Sequence, residues 1–216
     1  MADTIQREHV YWHELRAPIG TLITLLDVAS QGFAGEAPPE LVDLLQRAKR
    51  QADRLAEMVA AAHDMERLRW GALVVRKEPV DLAAAVHVAA AAVETAAKTR
   101  GVTVDVRPAP PLPLTGDPLL LGRCLECLLR AAIEASTRGG TVTVEALSRE
   151  GLAVASAQVG APVSQEALGA AFTEKSALGI RGGTGLGLHE AKLLVEAMGG
   201  SVASEAQRLE LRLKAP

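Results

Sequence analysis

The stretch RGGTGLGLHEAKLLVEAMGG, residues 181–200, joins a glycine-rich loop to a helical pattern and ends in a Gly-Gly turn. Glycines 182, 183, 185 and 187 lead into a helix that we predict over residues 184–198. Such a loop lets backbone N–H groups approach a phosphate, and the N-terminus of the helix adds a favourable dipole. A glycine-rich turn alone is weak evidence for phosphate binding, because many tight loops share its composition.

On both sides of this helix, hydrophobic residues repeat with periods typical of strands and of helices. Residues 102–107 alternate with period two, as a half-buried strand does, and residues 141–147 and 152–159 predict a β-hairpin around Arg149-Glu150-Gly151. We also predict two strands after residue 198, strands at 73–80 and 102–107, helices at 81–101, 118–136 and 164–172, and an extended proline-rich loop at 108–114. Strands and helices mixed in this way indicate an α+β sandwich with the helices on one face of the sheet.

The N-terminal third has a different pattern. Residues 4–31 and 39–68 carry apolar side chains at three- and four-residue steps, which predicts two long helices. The stretch GFAGEAPPE, residues 32–40, separates them with glycine and proline. A hairpin of two such helices buries only part of its apolar stripes. We therefore expect residues 4–68 to form a homodimer by building a four-helix bundle.

The chain has 216 residues, and the change of pattern near residues 69–73 divides it into a helical domain at 1–70 and an α+β domain at 71–216. A net charge of −3 gives no electrostatic reason to expect a nucleic acid or an anionic membrane as a partner. We found no apolar run of the roughly 20 residues that span a bilayer. The N-terminus has no apolar signal-peptide core, so we expect a cytoplasmic location.

The two cysteines, Cys124 and Cys127, have the CxxC spacing of redox and zinc sites. One pair supplies only two metal ligands, and both cysteines fall inside the helix predicted at 118–136. We interpret them as structural thiols, because a free cysteine commonly packs as a small hydrophobic residue.

Several motifs occur together in a characteristic order, and together they resemble the histidine kinase family. HELRAPIG at 13–20 resembles its phosphoacceptor box, and the glycine-rich loop at 181–200 resembles its second glycine box. The family's other landmarks are matched by EPVDL at 78–82 and GDPLLLGRCLECLL at 116–129. The hairpin of residues 4–68 is similar to the dimerisation and phosphotransfer domain. Residues 72–213 are similar to the catalytic ATP-binding domain that kinases share with gyrases, chaperones and mismatch-repair proteins.

The resemblance implies roles for particular residues. His13 is the implied phosphoacceptor, because a neutral imidazole nitrogen is a nucleophile toward phosphorus. Glu14 is the implied general base or orienting residue. The adjacent Arg16 is interpreted equally well as a solvated helix residue, and Pro18 should bend the helix. We interpret the other histidines as surface or packing residues: His9, His63, His87 and His189.

Departures from the family pattern affect nucleotide binding most. Cys127 and Ala131 stand where the family has two asparagines, the second of which holds Mg²⁺ against the triphosphate. Gln158 replaces the aspartate of the first glycine box, and Pro162 replaces one of its glycines, although Gly160 is kept. A lost charge-assisted hydrogen bond costs about 1.5–3 kcal/mol. We therefore expect no cofactor and no metal, with Gly183, Gly185 and Gly187 as a vestigial phosphate loop.

Two further departures concern the phosphoacceptor box and the nucleotide lid. Ala17 lies one helical turn after His13, where the family has a threonine or asparagine that positions a hydrolytic water. Phosphatase activity should therefore be weak. The segment at 173–183 is short for a lid that folds over a nucleotide.

Three functions are compatible with these residues. The first is a phosphorelay protein that exchanges a phosphoryl group between His13 and the aspartates of receiver domains. The second is a divergent, ATP-dependent sensor histidine kinase, in which Glu126 or Glu134 replaces the missing metal ligand. The third is a non-catalytic pseudokinase scaffold, which would have no use for the retained His13 and Glu14.

Overall fold

The structure of the protein is a computed structural model that describes residues 2–32, 35, 38–173 and 187–215. The side chains of residues 2–13, 57, 61, 64, 69 and 165 lie outside this description. The chain separates into two compact units, Met1–Arg67 and Leu68–Pro216.

The N-terminal unit is built from two long helices. Helix α1 spans Ala2–Ser30 and includes Pro18, and helix α2 spans Pro39–Arg69. Lys49 Nζ of α2 lies 2.6 Å from Asp27 Oδ1 of α1. Nearer the start of α1, Arg16 Nη2 lies 3.1 Å from Nδ1 of His63, which is near the end of α2. These contacts join late residues of one helix to early residues of the other, so the two helices run antiparallel.

The C-terminal unit mixes short strands with helices. Its described elements are β1 (Glu78–Asp81), α3 (Leu82–Ala92), α4 (Glu94–Arg100), β2 (Thr103–Val106), β3 (Pro113–Gly116), α5 (Pro118–Ala135), β4 (Thr141–Arg149), β5 (Leu152–Gln158), α6 (Gln165–Gly169), α7 (Gly187–Ala197), β6 (Ser201–Glu205) and β7 (Arg208–Lys214). The α+β fold predicted from the sequence is therefore confirmed.

The main sheet of the described residues has the strand order β2-β4-β5-β7-β6. Strand β2 pairs in parallel with β4, and the other neighbours pair antiparallel. The predicted hairpin is present, and its turn places Glu150 and Gly151 at φ 53° and 75°. A second tight turn places Ala206 and Gln207 at φ 49° and 67°, in the left-handed region that side chains other than glycine seldom occupy.

The core lies between one face of this sheet and the helices. On β4 the side chains of Val142, Val144 and Ala146 are buried, whereas the alternating Glu145 is half-buried and pairs with Arg208 across the other face. The largest fully buried side chains of α5 are those of Leu121, Leu125, Leu128, Leu129 and Ile133. Burial of branched aliphatic side chains compensates for the low aromatic content of 2%.

Two predictions about the start of this unit were wrong in detail. Strand β1 begins at Glu78, not at residue 73, because Arg76 N donates to Asp117 Oδ2 at 3.0 Å instead of to a neighbouring strand. Part of the predicted proline-rich loop forms β3, which pairs antiparallel with β1.

The predicted helix at 81–101 is divided into α3 and α4 at Val93. The Val93 side chain is fully buried at the break, and its backbone has the non-helical values φ −95° and ψ 1°. Gly101 ends α4 in the left-handed conformation, at φ 69°, as the sequence indicated.

Candidate functional site

The segment predicted to accept a phosphoryl group lies within α1. The backbone of His13 is helical, and its side chain lies outside the described residues. Glu14, Arg16 and Ala17, which follow it on the same helix, are exposed. Residues three and four apart on a helix share a face, so Arg16 and Ala17 occupy the face of His13, one turn further along.

An open concavity of about 530 Å³ continues along this face of α1. It is lined by Arg16, Ala17, Gly20, Thr21, Thr24 and Leu25. The Thr21 hydroxyl donates to Ala17 O at 3.1 Å, and the Thr24 hydroxyl donates to Gly20 O at 3.0 Å. Because both hydroxyl protons are used within the helix, Arg16 is the charged donor that this lining offers to a partner.

Arg16 is held by a buried side chain of the other helix. The Nη2 atom of Arg16 lies 3.1 Å from Nδ1 of His63, which is only 6% exposed. The sequence interpretation of His63 as a surface or packing residue did not include this hydrogen bond. No local pattern indicates it, because 47 residues separate the two side chains.

The same helix pair carries apolar side chains that remain exposed in the single chain. Leu25 is 61% exposed and Leu44 is 58% exposed. The other large members of this set are Leu15, Leu22, Val28, Leu41, Leu55 and Met58. This many exposed apolar side chains on two neighbouring helices are typical of an interaction surface.

The positions of the two family asparagines lie on α5. Ala131 is 8% exposed and belongs to the hydrophobic core, so it offers neither an oxygen nor space for one. Cys127 is half-buried, and its sulfur lies next to Gly187 at the start of α7. A Cβ atom added to Gly187 would be 3.7 Å from this sulfur. Burial raises the pKa of the Cys127 thiol to about 12. The thiol is therefore neutral, which makes it a poor ligand for a hard cation such as Mg²⁺.

One turn before Cys127 on α5, Arg123 forms an ion pair with the buried Glu190 of α7. Arg123 Nη2 lies 2.5 Å from Oε1 of Glu190, whose side chain is 3% exposed. The sequence did not lead us to predict a role for Glu190. A glutamate on the apolar stripe of a helix does, however, indicate a buried charge that needs a partner. The charges that act on the Cys127 thiol are those of Glu190, Arg123, Arg130 and Glu126. Two acids and two bases sum to zero, so this group supplies no net positive charge for a triphosphate.

Gly160 has a structural reason to be glycine that needs no nucleotide. A Cβ at this position would lie 2.7 Å from the backbone oxygen of Thr141, which is closer than real contacts allow. The Gly160 N–H donates to Ser136 Oγ at 2.8 Å, and the Ser136 hydroxyl donates to Ala132 O at 2.7 Å. Ser136 thus joins the end of α5 to the loop after β5, and both neighbouring replacements, Gln158 and Pro162, are exposed.

Replacing Ser136 with alanine should destabilise the C-terminal unit by about 1–3 kcal/mol, because the Gly160 N–H loses its acceptor. Urea unfolding followed by circular dichroism measures this change. The exposed Ser148 of β4 provides the control, since Ser148→Ala should change stability by less than about 0.5 kcal/mol. Equal effects of the two substitutions would show that the Ser136 hydroxyl does not hold this loop.

Cys127 and Ala131 offer no side-chain oxygen to a Mg²⁺ ion. No group of three or more His, Cys, Asp or Glu side chains within them is arranged to hold a metal ion. Glu126, a possible substitute ligand, lies 3.9 Å from Arg130 with both side chains 40% exposed. Gly183, Gly185 and most of the segment at 173–183 lie outside the described residues, whereas Gly187 is the first residue of α7.

None of the described helices is long and apolar enough to cross a membrane.

The C-terminal unit is similar to a known family of ATPase domains. Residues 116–215 match the family described as histidine kinase-, DNA gyrase B-, and HSP90-like ATPase. The structure is similar to the crystal structure of full-length ShkA in complex with AMPPNP, with a TM-score of 0.71 and 23% identity over 98% of this chain and 45% of that one. It is also similar to the Acinetobacter baumannii histidine kinase AdeS, with a TM-score of 0.61 and 18% identity over 94% of this chain and 98% of that one.

Similarity of sequence extends over both units. The chain is 28% identical to the sensor histidine kinase GacS of Pseudomonas protegens over 207 residues, which are 90% of this chain and 22% of GacS. It is 29% identical to the signal transduction histidine-protein kinase BaeS of Escherichia coli K12 over 196 residues, which are 88% of this chain and 41% of BaeS. The chain is thus similar to sensor histidine kinases over both units, and it spans less than half the length of these two relatives.

Proposed function

We propose that the protein is a two-component phosphorelay protein that carries a phosphoryl group on His13 and exchanges it with receiver-domain aspartates. Ala131 carries this proposal: the position that should present an oxygen to Mg²⁺ is a methyl group buried in the core. The phosphoacceptor box, by contrast, retains His13, Glu14 and Arg16 on α1. The chain thus keeps the residues that a relay needs and lacks one that ATP-dependent phosphorylation needs.

The proposed reaction is a direct transfer between two side chains. An imidazole nitrogen of His13 attacks the phosphorus of the receiver's aspartyl phosphate, so that an N–P bond forms while the P–O bond to the carboxyl group breaks. The aspartate leaves as a carboxylate. Glu14 orients the ring and accepts its proton, and Arg16 compensates the negative charge of the phosphoryl oxygens. The reverse reaction returns the group to a second receiver.

In this proposal residues 1–70 form the dimerisation and phosphotransfer domain, and residues 71–216 form a degenerate ATP-binding domain. The exposed leucines of α1 and α2, such as Leu25 and Leu44, support a homodimer. A second copy of the hairpin would cover this surface by completing a four-helix bundle. The concavity that begins at Arg16 remains available on α1 as a surface for a receiver domain.

The second candidate is an active histidine kinase. The match of residues 116–215 to the ATPase family favours it, as does the similarity to ShkA, which was solved with AMPPNP bound. It requires a metal ligand other than residue 131. A pseudokinase scaffold is the third candidate, and it shares the dimer and the receiver surface with the first.

Calorimetric titration of the chain with millimolar ATP and Mg²⁺ separates these candidates. We expect no saturable heat, because the metal ligand is absent and the charges around Cys127 sum to zero. In a parallel assay, radiolabelled phosphoryl groups should reach His13 from a panel of phosphorylated receiver domains and not from ATP. Saturable Mg²⁺-dependent binding together with labelling from ATP would establish the kinase instead. A chain that no donor labels would be a scaffold.

A further inference from the structure

The hydrogen bond between Arg16 and His63 has a defined direction. A guanidinium group can only donate, so Nδ1 of His63 must be the acceptor. The proton of the neutral ring is therefore on Nε2. His63 is 6% exposed, and its ring is fixed within the helix pair while Arg16 reaches it from the surface.

This bond restricts a side chain that would otherwise move freely. An exposed arginine samples many rotamers, and fixing it costs up to about 2 kcal/mol of conformational entropy. His63 keeps the guanidinium group at the surface of α1, one turn from His13. One N–H of Arg16 is directed to His63, and the remaining donors of the planar group can face a phosphoryl oxygen.

The chemical type of the acceptor also matters. A carboxylate in the place of His63 would hold Arg16 equally well, but it would cancel the positive charge that a phosphoryl group needs. A neutral imidazole nitrogen fixes the guanidinium group and leaves its charge intact. A buried neutral acceptor is therefore suited to presenting Arg16 to an anion.

We propose that His63 is a positioning residue for phosphoryl transfer at His13, and that it acts through Arg16. This inference rests on the proposed function, because it requires His13 to be the phosphoacceptor. It adds a residue of α2 to a site that the sequence motif confines to α1. Three observations support this proposal: the distance between Arg16 Nη2 and His63 Nδ1, the burial of His63, and the helical register of His13 and Arg16.

Phosphoramidate is a suitable probe, since it requires neither ATP nor an identified receiver. In the labelling reaction the P–N bond of phosphoramidate breaks and ammonia leaves, while an N–P bond forms on His13 and the ring proton passes to solvent. The initial rate of labelling is measured for the full chain, for the single variants Arg16→Ala, His63→Ala and His63→Asn, and for the double variant Arg16→Ala/His63→Ala. His87→Ala serves as the control, because His87 is exposed on α3.

We expect His63→Ala and Arg16→Ala to reduce the rate by on the order of tenfold, and the double variant to be no slower than Arg16→Ala. His63→Asn should retain most of the rate, because its Oδ1 can occupy the position of Nδ1 and accept the same hydrogen bond. His87→Ala should match the unmodified chain. Thermal unfolding of each variant is measured in parallel.

The outcomes distinguish this inference from the proposed function. If the unmodified chain is not labelled on His13, the proposed function is wrong and this inference is wrong with it. If it is labelled and His63→Ala reacts at the same rate, only this inference is wrong. The inference is also overturned if both His63 variants lose rate and melting temperature together, because His63 would then be merely structural.

Discussion

A chain in which His13 is replaced by glutamine is expected to take up no phosphoryl group from a phosphorylated receiver or from phosphoramidate. Glutamine has a polar side chain of comparable size and suits a helix, but its amide nitrogen is not a nucleophile. Labelling should therefore fall to background while the helical content stays unchanged. Radiolabel retained by the protein, together with circular dichroism, measures both quantities.

His9 provides the matched control for this experiment. It lies one helical turn before His13 on α1, so His9→Gln changes the same residue type in the same element. We expect His9→Gln to be labelled at the rate of the unmodified chain. Label that persists in His13→Gln and disappears in His9→Gln would assign the phosphoacceptor to His9 and refute the proposed site.

The second large effect is expected at the ion pair between α5 and α7. Glu190→Ala should destabilise the C-terminal unit by about 1–3 kcal/mol, since it removes a buried carboxylate that pairs with Arg123. The double variant Arg123→Met/Glu190→Leu should be as stable as the unmodified chain or more so, because apolar side chains commonly replace a buried ion pair without loss. Urea unfolding of the full chain measures both variants.

An exposed ion pair of the same helix serves as the control. Lys192 Nζ lies 3.9 Å from Glu196 Oε1, and these side chains are 37% and 48% exposed. Glu196→Ala should cost less than about 0.5 kcal/mol, because solvent screens such pairs. If Glu190→Ala costs no more than Glu196→Ala, the pair between Arg123 and Glu190 contributes no more than an exposed ion pair does.

The ion pair also connects two helices of the C-terminal unit. Arg123 and Glu190 join α5, which carries Cys127 and Ala131, to α7, which follows the second glycine box. Their charges cancel within the protein, so the pair fixes the two helices to each other without creating an anion site.

Much of the fold was predictable because it depends on local patterns. Strand-like sequences identified β4 and β5, and the turn residues Glu150 and Gly151 located the hairpin between them. The short strand β3 was not predictable in the same way. Its four residues become a strand only because they pair with β1, which lies more than 30 residues earlier.

The sequence by itself determined most of the strands and helices of the α+β unit, the helical position of His13 and the absence of a side-chain oxygen at Ala131. Each of these depends on residue type and short-range periodicity. Only the tertiary structure decided which distant side chains meet: His63 with Arg16, Glu190 with Arg123, and Ser136 with Gly160. The physical reason is that a hydrogen bond or ion pair between two elements depends on how those elements pack against each other. The packing cannot be predicted from the propensities of single residues.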